Sequence, residues 1–174
     1  MSQDGRDEIW NASFNTLYTA YFQELLADTV VARWQWLDET TKVLVAATAS
    51  GSAVSGWALW SNAGFKYVWL GIAGVSALLA IIHTALAVPN RIKDHGDLRR
   101  SFAGLCNELE TFRYRMQIDT QFSVQEFTKE FVELRRRFGE ATQHLRNDIL
   151  VTRRLLRNCQ AQLNERLADQ IGRL

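Results

Sequence analysis

Chemistry in this chain has few places to come from. It holds three histidines and two cysteines, and none of these stands at ligand spacing from another. Asp94-His95-Gly96-Asp97 is the one acidic cluster around a histidine; without a second histidine beside it, it does not complete a tetrahedral metal set. No serine, histidine and aspartate assemble convincingly into nucleophile, base and orienter, and no glycine-rich phosphate loop is present. The expectation is therefore no enzyme, no metal and no cofactor. Cys106 and Cys159 are expected to be ordinary buried thiols in a reducing compartment.

The informative residues are those whose spacing builds a surface. Thr41, Thr48, Ser55 and Asn62 recur every seven residues and Ser52 lies four after Thr48, so hydroxyls run down one side of a helix. Such a stripe either lines water or bonds back to its own carbonyls and across a tight helix pair. His83, seven residues after Ser76, is the one ionisable side chain deep in an otherwise uncharged stretch, which makes it a gate or a satisfied interfacial histidine. Ala47, Gly51 and Ser55, then Ser52 and Gly56, then Ala73 and Ala77 place small residues at spacing four, where helix backbones approach closely. Arg135, Arg136 and Arg137, with Arg146, Arg153, Arg154 and Arg157, form a basic surface. That surface is either a solvated helix face paired with glutamates or an anion site for a nucleotide messenger or lipid headgroups.

The elements that must carry these residues follow from two uncharged stretches, residues 43–65 and 67–90, separated by Lys66 alone. As helices each reaches about 35 Å at ~1.5 Å per residue, enough for a bilayer core of about 30 Å. Spans at about 43–62 and 67–88 would form a helical hairpin, since in lipid only helices and closed barrels satisfy every backbone hydrogen bond. Bulk composition hides this pattern: 47% hydrophobic and 22% charged residues average over two solvents. A net charge of +1 argues against nucleic acid as the main partner.

Arg33 and Lys42 precede the first stretch, Arg91, Lys93, Arg99 and Arg100 follow the second, and only Lys66 lies between. The positive-inside rule then puts both ends on the cytoplasmic side, with residues 61–66 as a short outer turn. Trp34 and Trp36 fall toward the inner interface, and Trp57, Trp60, Phe65, Tyr67 and Trp69 bracket the turn. Residues 1–41 show no secretory signal pattern.

Three segments result: an amphipathic helix in 1–41, the hairpin in 42–90, and a cytoplasmic helical region in 91–174. In the first, Trp10, Phe14, Leu17, Tyr21 and Leu25 share a face, opposite Asn11, Asn15, Gln23 and Ala27. In the third, Leu98, Phe102, Leu105, Leu109, Phe112 and Met116 alternate steps of four and three, a heptad seam. The register breaks near 119–122. Ser123 with Glu126 is a capping-box pattern that opens a new helix, which continues through Phe127, Phe131, Leu134, Phe138, Ala141 and Leu145. Leu156, Leu163, Leu167 and Ile171 give the last stretch its apolar face. The whole is expected to be an all-α membrane protein, with no strand-like alternation.

Tyr21 with Leu25, Arg33-Trp34 before a small-residue-rich first span, a short turn, and a second span ending in Pro89 ahead of Arg91-Ile92-Lys93-Asp94-His95 resemble the SLATT domain family. These are bacterial two-transmembrane effectors found beside SMODS nucleotidyltransferases and SLOG nucleotide sensors. The resemblance covers most of the chain and is one of helix order and composition. It implies an inner-membrane effector of anti-phage defence that oligomerises and permeabilises the membrane on a nucleotide-type or partner-derived signal. Its implied partners are the bilayer, further copies of itself, and a nucleotide messenger or a sensor protein; it implies no site residues. The alternative is a membrane-anchored helical scaffold. The small and hydroxylic residues that dilute the first span favour the effector.

Overall fold

The computed structural model describes residues 2–54, 63–119, 123–143 and 148–171, with side chains at 5–48, 67–68, 70–119, 123–143 and 148–168. Among the described residues there are five helices and no strand: α1 (Ser2–Val54), α2 (Ala63–Ala85), α3 (Val88–Ile118), α4 (Val124–Gln143) and α5 (Arg153–Ile171). The all-helical expectation holds. The chain divides into two compact units, one of residues 1–30 with 95–174 and the other of residues 31–94.

No break separates the expected amphipathic helix from the first uncharged stretch. α1 runs from one into the other without interruption as far as Val54, 53 residues, about 80 Å at 1.5 Å per residue, because nothing between Ser2 and Val54 removes a backbone donor: the chain's one proline is Pro89. The helix of the second expected span ends earlier than residue 88. α2 stops at Ala85, where Leu86 N–H donates to Ile82 O at 2.9 Å and Ala87 adopts a left-handed φ of 47°. Pro89 then sits in the first turn of α3, where its missing N–H costs nothing. In an unbroken helix Pro89 would lack the N–H for the carbonyl of residue 85 and press its ring against it, so the break falls just ahead of the proline.

The first unit is a helical bundle. Phe102, Leu105, Leu109, Phe112 and Met116 of α3 are buried as the heptad predicts, with Leu98 half-buried. They pack with Phe127, Phe131 and Leu134 of α4 and with Ile9, Leu17 and Ala20 of α1 in one core. Phe112 is central: it meets the Phe127 ring edge-on at 5.6 Å and stacks on Phe131 at 6.0 Å, geometries that add about 0.5–1.5 kcal/mol each beyond burial. The capping box is formed at its N-cap half, with Glu126 N–H donating to Ser123 Oγ at 3.3 Å. The exposed last turn of α3 is held by Arg6, whose guanidinium donates to Asp119 O at 2.5 Å and Met116 O at 3.3 Å. Leu145 and Ile171 lie outside the described side chains.

The face of α1 differs from the aromatic one. Phe14 is 46% exposed, and Trp10 and Tyr21 are only half-buried, whereas Ser13, Ala20, Ala27 and Trp34 are essentially inaccessible and Thr41 is buried. These five stand seven residues apart, a seam of small side chains closed by one tryptophan. Ala27, assigned above to the polar face, belongs to it. Trp34 is accordingly a core residue and not an interfacial one, while Trp36 is 67% exposed. The aromatic face keeps a different use: Arg113 lies over Trp10 with its guanidinium carbon 3.7 Å from the ring centroid, and its Nη1 donates to Trp10 O at 2.8 Å and Ser13 Oγ at 3.0 Å. On α5 the buried side chains are Leu155, Cys159 and Leu163; Leu156 and Leu167 are half-buried, so the packed face is turned from the one the leucine spacing suggests.

Candidate functional site

The second unit carries the features that look functional. α2 has no Asp, Glu, Lys or Arg from Tyr67 to Ala85, yet Tyr67, Val68, Leu70, Ile72, Val75, Leu78, Ile81 and Ile82 are all exposed. At about 100° per residue these eight fan over roughly 200° of the helix circumference, twice the width of an ordinary core-facing stripe. Gly71 and Gly74 lie within the same arc, and a Cβ placed on either meets nothing within 4 Å. The inward side centres on buried Ser76, with Leu79, Ala80 and His83 half-buried around it.

His83 joins that inner face to α1. Its Nε2 lies 2.7 Å from Asp38 Oδ1, while Lys42 Nζ donates to Asp38 Oδ2 at 2.6 Å. Asp38 thus receives two partners on its two oxygens, with its side chain only 13% exposed. Lys42 first, and then His83, holds its carboxyl below the usual carboxylate range. His83 is therefore a partnered histidine at the end of a helix pair.

The hydroxyl stripe follows the same face. Thr41 is buried and donates to Leu37 O at 2.8 Å, Thr48 donates to Leu44 O at 3.0 Å and Val45 O at 2.9 Å, and buried Ser76 donates to Ile72 O at 2.9 Å. Each is bonded back to its own helix. The side chain of Ser52 and the whole of Ser55, Gly56 and Asn62 lie outside the described residues, and Gly51 is described in its backbone alone. Ala47, Ala73 and Ala77 are exposed.

The arginine cluster divides. Arg136 bridges Glu133 and Glu140 at 2.6 and 2.5 Å, and Arg137 pairs with Glu108 of α3. These carboxylates raise both guanidinium pKa values, and Arg136 lowers that of Glu133. That is the solvated, glutamate-paired face. Arg135, Arg153 and Arg154 are exposed, with no ion pair drawn to them among the described residues.

One pairing escaped the sequence, which marked His95 only for its acidic neighbours Asp94 and Asp97. His95 occupies a heptad position of α3, seven residues before Phe102, and is buried with Asp148: His95 Nε2 lies 2.6 Å from Asp148 Oδ2, the side chains 4% and 1% exposed. Because a carboxylate accepts, the proton sits on Nε2. Asp148 Oδ1 takes the Leu150 N–H at 2.7 Å, so the same carboxylate shapes the turn before α5. His95 Nδ1 is buried with no partner among the described residues. The seven-residue run Val88, His95, Phe102, Leu109, Met116, all buried, was the available signal.

Both cysteines are free and buried. Among the described residues no group of three His, Cys, Asp or Glu is placed to hold a metal. No single described helix is long and apolar enough to cross a membrane alone; Leu70–Ala85 together with Val88–Ile118, bent by 49° at the break, meets that criterion as a pair. Comparison with family models, with characterised proteins and with solved structures finds no match.

Proposed function

We propose that residues 42–90 lie in a bilayer as a two-helix hairpin, with both ends of this chain on the cytoplasmic side of a bacterial inner membrane. The chain would act as an effector whose copies associate there and open a pore or disrupt the membrane on a nucleotide-type or partner-derived signal. The observation that supports this most is the exposed apolar belt of α2. Eight large hydrophobic side chains left in water forgo roughly 1.5–3 kcal/mol each, and an apolar arc this wide belongs to a helix surrounded by lipid or by other helices. Gly71 and Gly74 on that belt, with Ala73 and Ala77 exposed beside it, suit close contact between hairpins. The link to anti-phage defence rests on the likeness in helix order and composition to SLATT effectors.

A second reading has its own observation. The hydroxyls of Thr41, Thr48 and Ser76 bond back to their helices, and two of them are buried, which suits an anchor for a helical scaffold. Dye-loaded liposomes separate the two. With the purified chain reconstituted and candidate nucleotides added, an effector releases dye on activation. Stable insertion without leakage under any nucleotide leaves the anchor, and failure to float with the liposomes removes both.

A further inference from the structure

A cavity of about 410 Å³ opens between α1, α3 and α5 of the bundle, within the usual range of about 300–1,000 Å³ for small-ligand sites. Leu25, Leu163 and Leu167 supply apolar wall; Glu24, Asp28, Arg99 and Arg166 supply charge. The charges are not equivalent. Asp28 and Arg99 satisfy one another at 3.1 Å. Among the described residues Arg166 makes no hydrogen bond or ion pair and Glu24 meets no cation, its contact being the Cys106 thiol. Tyr21, which also lines the cavity, spends its hydroxyl on Glu110. Among the described residues, one guanidinium without an anion and one carboxylate without a cation thus share a leucine-walled space.

We infer that this cavity binds a small zwitterion with an apolar body, of the α-amino-acid class. The ligand carboxylate takes the Arg166 fork, which matches its geometry in a bidentate way, the ammonium takes Glu24, and the side chain covers the leucines. An anion alone would leave Glu24 facing it, and a cation alone would face Arg166; only a ligand bearing both charges answers both. The inference rests on the bundle and is independent of what the hairpin does.

The test is calorimetric titration of the full chain in detergent micelles with L-leucine, 4-methylpentanoate and 3-methylbutylamine, which keep one apolar body and vary the charges. Leucine should bind at least tenfold more tightly than either analogue. Glu24→Gln should erase the preference over the acid while keeping that over the amine, and Arg166→Gln should do the reverse, a crossed pattern that loss of fold would not produce. Arg166→Lys should retain part of the carboxylate preference. Binding of 4-methylpentanoate as tightly as leucine would make this an anion site and overturn the assignment. So would the absence of heat from all three ligands at millimolar concentration, which would mean that Glu24 and Arg166 close on each other in solution.

Discussion

Two buried groups show how a single side chain sets local energetics. Burial, and then the carboxylate of Glu24, pushes the Cys106 thiol up to about 12, whereas a free cysteine titrates near 8.5. The folded chain holds this proton more tightly than the unfolded one. Its contribution to stability is therefore complete below about pH 8.5 and is lost as pH rises from there toward 12. Denaturant titrations across that window should show a decline that Cys106→Ala flattens, and at pH 8 Cys106 should react with iodoacetamide at least about tenfold more slowly than a free thiol. Asp148 is the second case. Removing its carboxylate in Asp148→Ala strands the buried Nε2–H of His95 and the Leu150 N–H together, a loss of about 1.5–3 kcal/mol. Equilibrium unfolding of the variant measures it; an unchanged midpoint would mean that water enters and replaces both bonds.

At the scale of helices, the seam of α1 carries the sharpest expectation. Ser13, Ala20 and Ala27 are wholly buried because their small side chains let neighbouring helices come close, so Ala20→Leu should overpack that contact and cost about 1–3 kcal/mol, while Ala161→Leu on the exposed side of α5 should stay within about 0.5 kcal/mol. Thermal melts of the two variants give the comparison. The heptads of α3 and α4 were legible in the sequence because large apolar residues repeat there, and the break near Asp119 was legible from Ser123 and Glu126. The packed face of α1 was not, since hydrophobicity marks Trp10 and Phe14 while burial goes to alanines and a serine, whose signal is size. His95 was hidden for a related reason: a polar residue at a core position declares itself only when its partner, here Asp148, 53 residues away in sequence, is known. The end of the second stretch depended on a backbone effect, with Pro89 stopping α2 short of the length its hydrophobicity alone allowed.

For the whole molecule, the division of exposed apolar surface is the guiding fact. Of the sixteen large hydrophobic residues exposed among the described ones, eleven fall in residues 31–94 and five in the bundle. The bundle has buried most of its apolar residues and the unit of residues 31–94 has not, which the proposed bilayer or further copies of the chain would correct. Pore and anchor differ in where water reaches. In a water-filled assembly lined by the hydroxyl stripe, a cysteine at Thr48 reacts with a membrane-impermeant thiol reagent once the membrane is breached, and cysteines at Leu78 and Ile81 on the exposed belt of α2 stay protected by lipid. In an anchor, Thr48 keeps its bonds to Leu44 and Val45 and all three positions stay protected in every state. With Cys106 and Cys159 replaced by serine, labelling in cells before and after loss of membrane potential reads the difference. Reaction at Leu78 and Ile81 before any breach would place α2 in water and remove the bilayer from the account.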